Sequence, residues 1–301
     1  MSPVTGKLPN CLIIGAAKAG TTSLFHVMST HPQVFASPVK ETRFFSDDDQ
    51  FGKGLEWYHR QYFGRARDHA VRLEASPAYL TWSEKVASRI RLAYGDRSVS
   101  LVTILRDPVA RAYSHYWHRV RLGHETLSFA DAIAQEETRL RTNWKTLSRA
   151  GNGRYGYVRA GCYATRLKPF LEQFARAQFF FLLQEDLHPD RFEDAMKRLL
   201  GFLGVDETVP LQPARVNAPT RARHPRLAVA YWRLKKTFAK TIYTTLVPPA
   251  TRRQILTALF PVSSYPPIDA ETEHRLRVRF ADEIEQSQDL IQRDLSHWLP
   301  S

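Results

Sequence analysis

Residues 11–23 read CLIIGAAKAGTTS. An apolar run, Cys11 to Gly15, leads into a glycine turn and then into a helical pattern, SLFHVMSTH. A strand, a glycine turn and a helix in that order let backbone N–H groups converge on an anion at the helix N-terminus. Gly15 and Gly20 keep the spacing of the phosphate loop G-x-x-x-x-G-K-[ST], but Thr21 and Thr22 follow Gly20. The only lysine, Lys18, sits inside the turn.

Working outward, three further apolar runs read as buried parallel strands: VRLEAS (71–76), SVSLVTILR (98–106) and FFFLLQ (179–184). Helical patterns separate them. SEKVASRIRLAYG offers Ser83 as a cap and ends at Gly95; DPVARAYSHYWHRVRLG opens on Asp107-Pro108 and stops at Gly123. TRLKPFLEQFA and RFEDAMKRLLGFLG follow, and a final helix, IDAETEHRLRVRFADEIEQSQDLIQRDLSHWL, is expected to reach Trp298 and to pack on the core. Strands alternating with helices predict an α/β fold: a P-loop-like, three-layer α/β/α arrangement around a central parallel sheet. With 43% hydrophobic residues, the 301-residue chain suits a single domain over 1–301. Its core is expected within about 10–205, with a basic lid loop and C-terminal helices over 206–301.

The net charge is +13, and its distribution is uneven. Between Thr208 and Ile268 there is no acidic residue, while ten basic ones accumulate, among them Arg221, Arg223, Lys235 and Lys236. The proline- and arginine-rich stretch 207–226 reads as a long loop of the lid or binding kind, and 227–247 as a basic amphipathic helix. A solvated basic face is one reading; a region that meets an anionic ligand or membrane is the other. Two distant cysteines, Cys11 and Cys162, make neither a disulfide framework nor a zinc site, and Cys11 is placed in the core. MSPVTGKLPN lacks the apolar stretch of a signal peptide, and no apolar run spans a bilayer. The expected location is cytoplasmic, with peripheral membrane association as an option.

A lysine held within the loop fits a donor that carries sulfate instead of a terminal phosphate. The transferable sulfuryl group has less negative charge, so the demand for Mg²⁺ falls and no metal site is expected. The lysine can then stabilise the bridging oxygen as the bond to sulfur breaks. In RDPVARAYSHY (106–116), Arg106 ends a strand at the edge where ligands gather in open α/β sheets. With Ser114, two turns into the next helix, it can hold a second phosphate. The alternative is structural: Arg106 on a nearby carboxylate, Ser114 capping locally. Asp107 and Arg111, four apart, are expected to pair.

These residues resemble the sulfotransferases that use 3′-phosphoadenosine 5′-phosphosulfate (PAPS), in particular the heparan-sulfate-type branch and its bacterial relatives. CLIIGAAKAGTTSL looks like their 5′-phosphosulfate loop and VTILRDPVARAYSHY like their 3′-phosphate motif; THPQV, KETRFFSDD, GLEWYHRQYF and EASPAYL occur in the expected order. The resemblance covers most of residues 10–205. It implies Lys18, Ala19, Gly20, Thr21, Thr22 and Ser23 at the 5′-phosphosulfate, with Lys18 on the leaving-group side, and Arg106 and Ser114 at the 3′-phosphate. It implies Tyr163 of GCYATRL at the adenosine, and Arg221 and Arg223 in a basic loop over the donor. It also implies that the glutamate of ETRFF, Glu41, takes the acceptor proton, with Phe44 and Phe45 anchoring the loop. Taken alone, Glu41 would read as a surface glutamate paired with Lys40, and Tyr163 as a core aromatic. His115 and His118 are alternative bases, read first as structural.

The sequence departs from that branch at Arg43, where histidine or glutamine is usual, and at Ala75, where a lysine is frequent. The polysaccharide specificity of the branch is therefore not carried over. The expected reaction is sulfuryl transfer from PAPS, leaving adenosine 3′,5′-bisphosphate (PAP), to a hydroxyl or amine of a carbohydrate or glycolipid acceptor. Trp57, Tyr58, Trp82 and Trp117 suit a sugar or core packing equally. The alternatives are a P-loop small-molecule kinase, which lacks its lysine and its metal-binding aspartate here, and a basic membrane- or nucleic-acid-binding module. Nucleic acid is not the expected partner.

Overall fold

The structure is a computed structural model that describes residues 7–149, 153–214, 251 and 265–300. Its centre is a five-stranded sheet in the order β2-β3-β1-β4-β5, with every neighbouring pair parallel. The strands are β1 (Cys11–Gly15), β2 (Val34–Ala36), β3 (Val71–Ala75), β4 (Ser100–Leu105) and β5 (Phe179–Leu183). Four of them are the apolar runs predicted from the sequence. The fifth, β2, is a three-residue edge strand, too short and too exposed on one side to announce itself.

β1 is buried along its whole length, as a central parallel strand covered on both faces must be. Its pairing with β4 slips between Ile13 and Gly15, and Ala16 N–H then reaches the Ile104 carbonyl at 2.7 Å. Such a bulge turns a strand end away from the ladder, and here it launches the glycine turn. Because β1 and β4 are neighbours at the middle of the sheet, the segments leaving their C-terminal ends emerge side by side.

The helices are α1 (Thr21–Met28), α2 (Asp48–Phe51), α3 (Leu55–Tyr58), α4 (Ala78–Thr81), α5 (Ser83–Tyr94), α6 (Pro108–Arg121), α7 (Phe129–Ala134), α8 (Glu136–Arg149), α9 (Tyr163–Leu171) and α10 (Pro189–Leu203), followed by one over Ala270–Ile291. The expected helix to Trp298 is shorter: Gln292 adopts a left-handed conformation, φ 54°, and ends it, leaving a single 3₁₀ turn at Ser296–Trp298. That helix does belong to the core. It buries Leu276, Phe280 and Ile284, and Arg293, just beyond it, grips buried Asp186 with two bonds of 2.9 and 3.1 Å.

Two local expectations are corrected. Ser83 does not cap α5: it is the first helical residue, 1% exposed, with no partner for its hydroxyl, and Trp82 occupies the cap position. Asp107 does cap α6, accepting from Ala110 N at 2.7 Å, but it pairs with Arg277 at 3.2 Å and not with Arg111. Arg111 is instead fully buried. Arg221, Arg223, the basic helix over 227–247 and most of the lid loop lie outside the described residues. No helix among the described residues is long and apolar enough to cross a membrane.

Candidate active site

The glycine turn is shaped by backbone geometry. Gly20 has φ +108° and stands at the N-cap of α1 without a side-chain cap bond, leaving the first-turn amides in the arrangement an anion completes. Lys18 carries φ 74°, an unusual conformation for a residue with a side chain. Ala19 N–H closes the turn onto the Ala16 carbonyl at 3.2 Å. Ala19 and Thr21 are buried, whereas Lys18, Gly20, Thr22 and Ser23 keep part of their surface.

The second motif meets this turn directly. Arg106, the residue after β4, donates through Nη1 to the Lys18 carbonyl at 3.2 Å. Arg111, one turn into α6, donates to the Ala17 carbonyl at 3.4 Å and to the Tyr157 carbonyl. The two guanidinium groups thus hold consecutive carbonyls of the turn from below, leaving its amides for a ligand. Ser114 is 7% exposed on α6. Tyr163 is 1% exposed and its hydroxyl donates to the Arg106 carbonyl at 2.7 Å. Its ring is covered here, so the side chain braces Arg106 and makes no open face for adenosine.

Electrostatics concentrate positive charge on the turn. Burial lowers Lys18 to about 8, and Arg121, Arg106 and Arg119 lower it further; Glu41 is the group that opposes them. Glu41 itself is exposed and ion-paired with Lys40 at 3.0 Å. It sits in a strained turn: φ is 64° at Glu41 and 52° at Arg43. The turn is fixed by Glu41 N–H to the Ala75 carbonyl at 2.9 Å and Arg43 N–H to Ser76 Oγ at 2.9 Å. Phe44 and Phe45 behind it are completely buried, and Phe44 stacks on Tyr58 with centroids 4.0 Å apart. Backbone strain of this kind persists only where packing over-determines it.

The other predicted residues divide plainly. Tyr58 and Trp82 are core residues, at 0% and 7% exposure, and give no sugar platform. His115 is buried, accepts from Arg119 Nε at 3.1 Å, and is held well below its ordinary range by burial and by Arg119. His118 falls to about 3, from burial and then Lys18, which makes it a weak base. Among the described residues no cluster of His, Cys, Asp or Glu could hold a metal.

Four residues of the site escaped the sequence reading. Arg111 was assigned a surface pair. Glu74 is a fully buried carboxylate inside β3, signalled only by a charge in an otherwise apolar strand. Arg119 and Arg121 lie on the last turn of α6 and bear on Lys18.

The chain resembles known proteins throughout this region. Mouse heparan sulfate glucosamine 3-O-sulfotransferase 3A1 is 29% identical over 205 residues, which are 67% of this chain and 47% of the relative. Human heparan sulfate glucosamine 3-O-sulfotransferase 5 is 31% identical over 180 residues, 58% of this chain and 47% of the relative. The chain therefore spans about half the length of these curated relatives. The crystal structure of a sulfotransferase from Alicyclobacillus acidocaldarius superposes with a TM-score of 0.70 at 27% identity, over 97% of this chain and 99% of that one. The sulfotransferase-domain profile matches residues 8–218, a span that includes both strand-end motifs and the Glu41 turn, and the chain belongs to the sulfotransferase-domain family.

Proposed function

We propose that the protein transfers a sulfuryl group from PAPS to a hydroxyl or amine of an acceptor. The observation that carries this reading is the Arg106–Lys18 bond: it joins the glycine turn and the α6 motif edge to edge, at the ends of adjacent strands. One nucleotide with anionic groups at both ends fits such a pair of cradles.

In this reading the turn amides, with the hydroxyls of Thr21, Thr22 and Ser23, hold the 5′-phosphosulfate. Arg106 and Ser114 hold the 3′-phosphate. Glu41 takes the acceptor proton as the acceptor oxygen or nitrogen bonds to sulfur; the bond from sulfur to the 5′-phosphate oxygen breaks, and Lys18 offsets charge on that oxygen. PAP leaves. The chain's part is positioning and electrostatics, as in phosphoryl transfer. The relatives' names point to a glucosamine hydroxyl of heparan sulfate; with Ala75 in place of a lysine, the acceptor here is assigned only to the wider carbohydrate or glycolipid class.

The test pairs binding with turnover. PAP is expected to bind without added metal, and ATP with Mg²⁺ not to compete. Lys18→Ala and Glu41→Ala are each expected to lower turnover by about 100-fold or more. Glu41→Ala should leave PAP affinity nearly intact. Loss of PAP binding in that variant, or a wild type that ignores PAP, overturns the reading.

A further inference from the structure

The chain re-enters the described structure at residue 265, and its first side chain there lies on the helix that carries the 3′-phosphate motif. The Tyr265 ring stacks on Trp117 with centroids 5.6 Å apart and planes at 8°. It stands edge-on to Tyr113 at 6.1 Å and 81°. Tyr113 in turn donates through its hydroxyl to the carbonyl of Pro266 at 2.8 Å. Tyr113 and Trp117 are one turn apart on α6 and flank Ser114. Clamped between them, the Tyr265 phenol comes within hydrogen-bonding contact of the Ser114 side chain, and Arg121 and Arg106 are the charges that act on it.

We propose that Tyr265 is a third ligand of the donor's 3′-phosphate, donating its O–H beside Ser114 and Arg106 and so making the 3′-phosphate a recognised feature of the nucleotide. This rests on the assignment of Arg106 and Ser114 to that phosphate. Three features support it. The ring is half-buried and locked on two sides by aromatic contacts, so ordering it costs little when a ligand arrives. Burial raises the phenol above its ordinary range, so it keeps its proton and can donate to a dianion. The hydroxyl already meets Ser114, the very donor assigned to the phosphate, so a phosphate oxygen at that point replaces one oxygen–oxygen contact with two charge-assisted bonds. A phosphate held this way is read by groups from two distant parts of the chain, α6 and the segment that leads into the Ala270–Ile291 helix.

The experiment compares PAP with adenosine 5′-monophosphate, which lacks the 3′-phosphate, by titration calorimetry on the full chain. Wild type should prefer PAP strongly. Tyr265→Phe keeps the ring stack and removes only the hydroxyl. It should reduce PAP affinity about tenfold, the scale of one bond to a charged group, and leave affinity for the monophosphate unchanged. Ser114→Ala serves as the reference for a lost phosphate ligand. If Ser114→Ala narrows the preference and Tyr265→Phe does not, or if Tyr265→Phe binds PAP more tightly, the role given to Tyr265 is wrong while the site stands. If wild type shows no preference for PAP, the 3′-phosphate site itself is wrong and Tyr265 falls with it.

Discussion

A carboxylate with no exposed surface stands under the turn that presents Glu41. Glu74 accepts from Ser76 Oγ at 2.5 Å and from Thr42 Oγ1 at 3.0 Å, while its Oε2 has no partner. Ser76 Oγ then accepts from Arg43 N–H, and Thr42 Oγ1 from Phe44 N–H at 3.3 Å, so one buried group ties down both halves of the strained turn. Burial raises Glu74 to about 6 from an ordinary 4.5, against the lowering by its hydrogen bonds and by Lys40. The sign follows from proton counting. Between about pH 4.5 and 6 the folded state holds a proton that the unfolded state has lost, so this group makes stability fall as pH rises through that window. Glu74→Gln removes the titration and keeps one acceptor; its stability should change less than wild type's between pH 4.5 and 6. Glu74→Ala leaves two buried hydroxyls without their acceptor and opens a cavity, a loss of about 3 kcal/mol. Urea unfolding at pH 4.5, 6 and 7.5 checks both, and an unchanged pH slope in Glu74→Gln would remove Glu74 as its source.

At the level of elements, the glycine turn depends on what packs behind β1. A Cβ built on Gly15 would lie 2.6 Å from Leu80 Cβ in α4, closer than atoms tolerate. Gly15→Ala must therefore push α4 off the strand end that launches the turn. Stability should fall by about 1–3 kcal/mol, the usual cost of overpacking, and PAP affinity should fall with it; normal affinity in a destabilised protein would show that the turn does not follow α4. This part of the architecture was legible in the sequence, because apolar runs of β1, β3, β4 and β5 and the glycine spacing are local signals. The edge strand β2 was not, since three residues carry no periodicity. Nor were the partners of Asp107 and Ser83. Spacing of four places Asp107 beside Arg111 on one helix, but Arg277 from the C-terminal helix takes the carboxylate and Arg111 turns inward to Ala17 and Tyr157. The site shows the same split. The anion turn and the Arg106 motif were readable as strings, whereas Tyr265 reaches Ser114 from far along the chain, and only tertiary packing brings the two together.

Over the whole molecule, positive charge is gathered where the donor would sit. The formal excess is +13, and Arg106, Arg119 and Arg121 all bear on Lys18 while Glu41 alone counters them. Without ligand the folded state therefore disfavours the Lys18 ammonium, chiefly through burial and then through these three cations, bringing its pKa to about 8 from 10.5. Two consequences follow from the same linkage. In the free protein, unfolding takes up a proton between about pH 8 and 10.5, so this lysine makes stability rise with pH across that window. Donor binding works in the opposite direction: an anionic nucleotide offsets the cations and restores the ammonium. At pH 8 and above, PAP should bind with proton uptake, and its affinity should weaken as pH rises, with a slope of at most about one decade per pH unit for a single group. Titration calorimetry at pH 8.5 in two buffers of different ionisation enthalpy measures the uptake directly. In Lys18→Ala the affinity should be lower throughout and the slope should flatten. A slope that survives in that variant would assign the proton to another group, and PAP binding with no uptake above pH 8 would mean that the cations around Lys18 do not face the nucleotide.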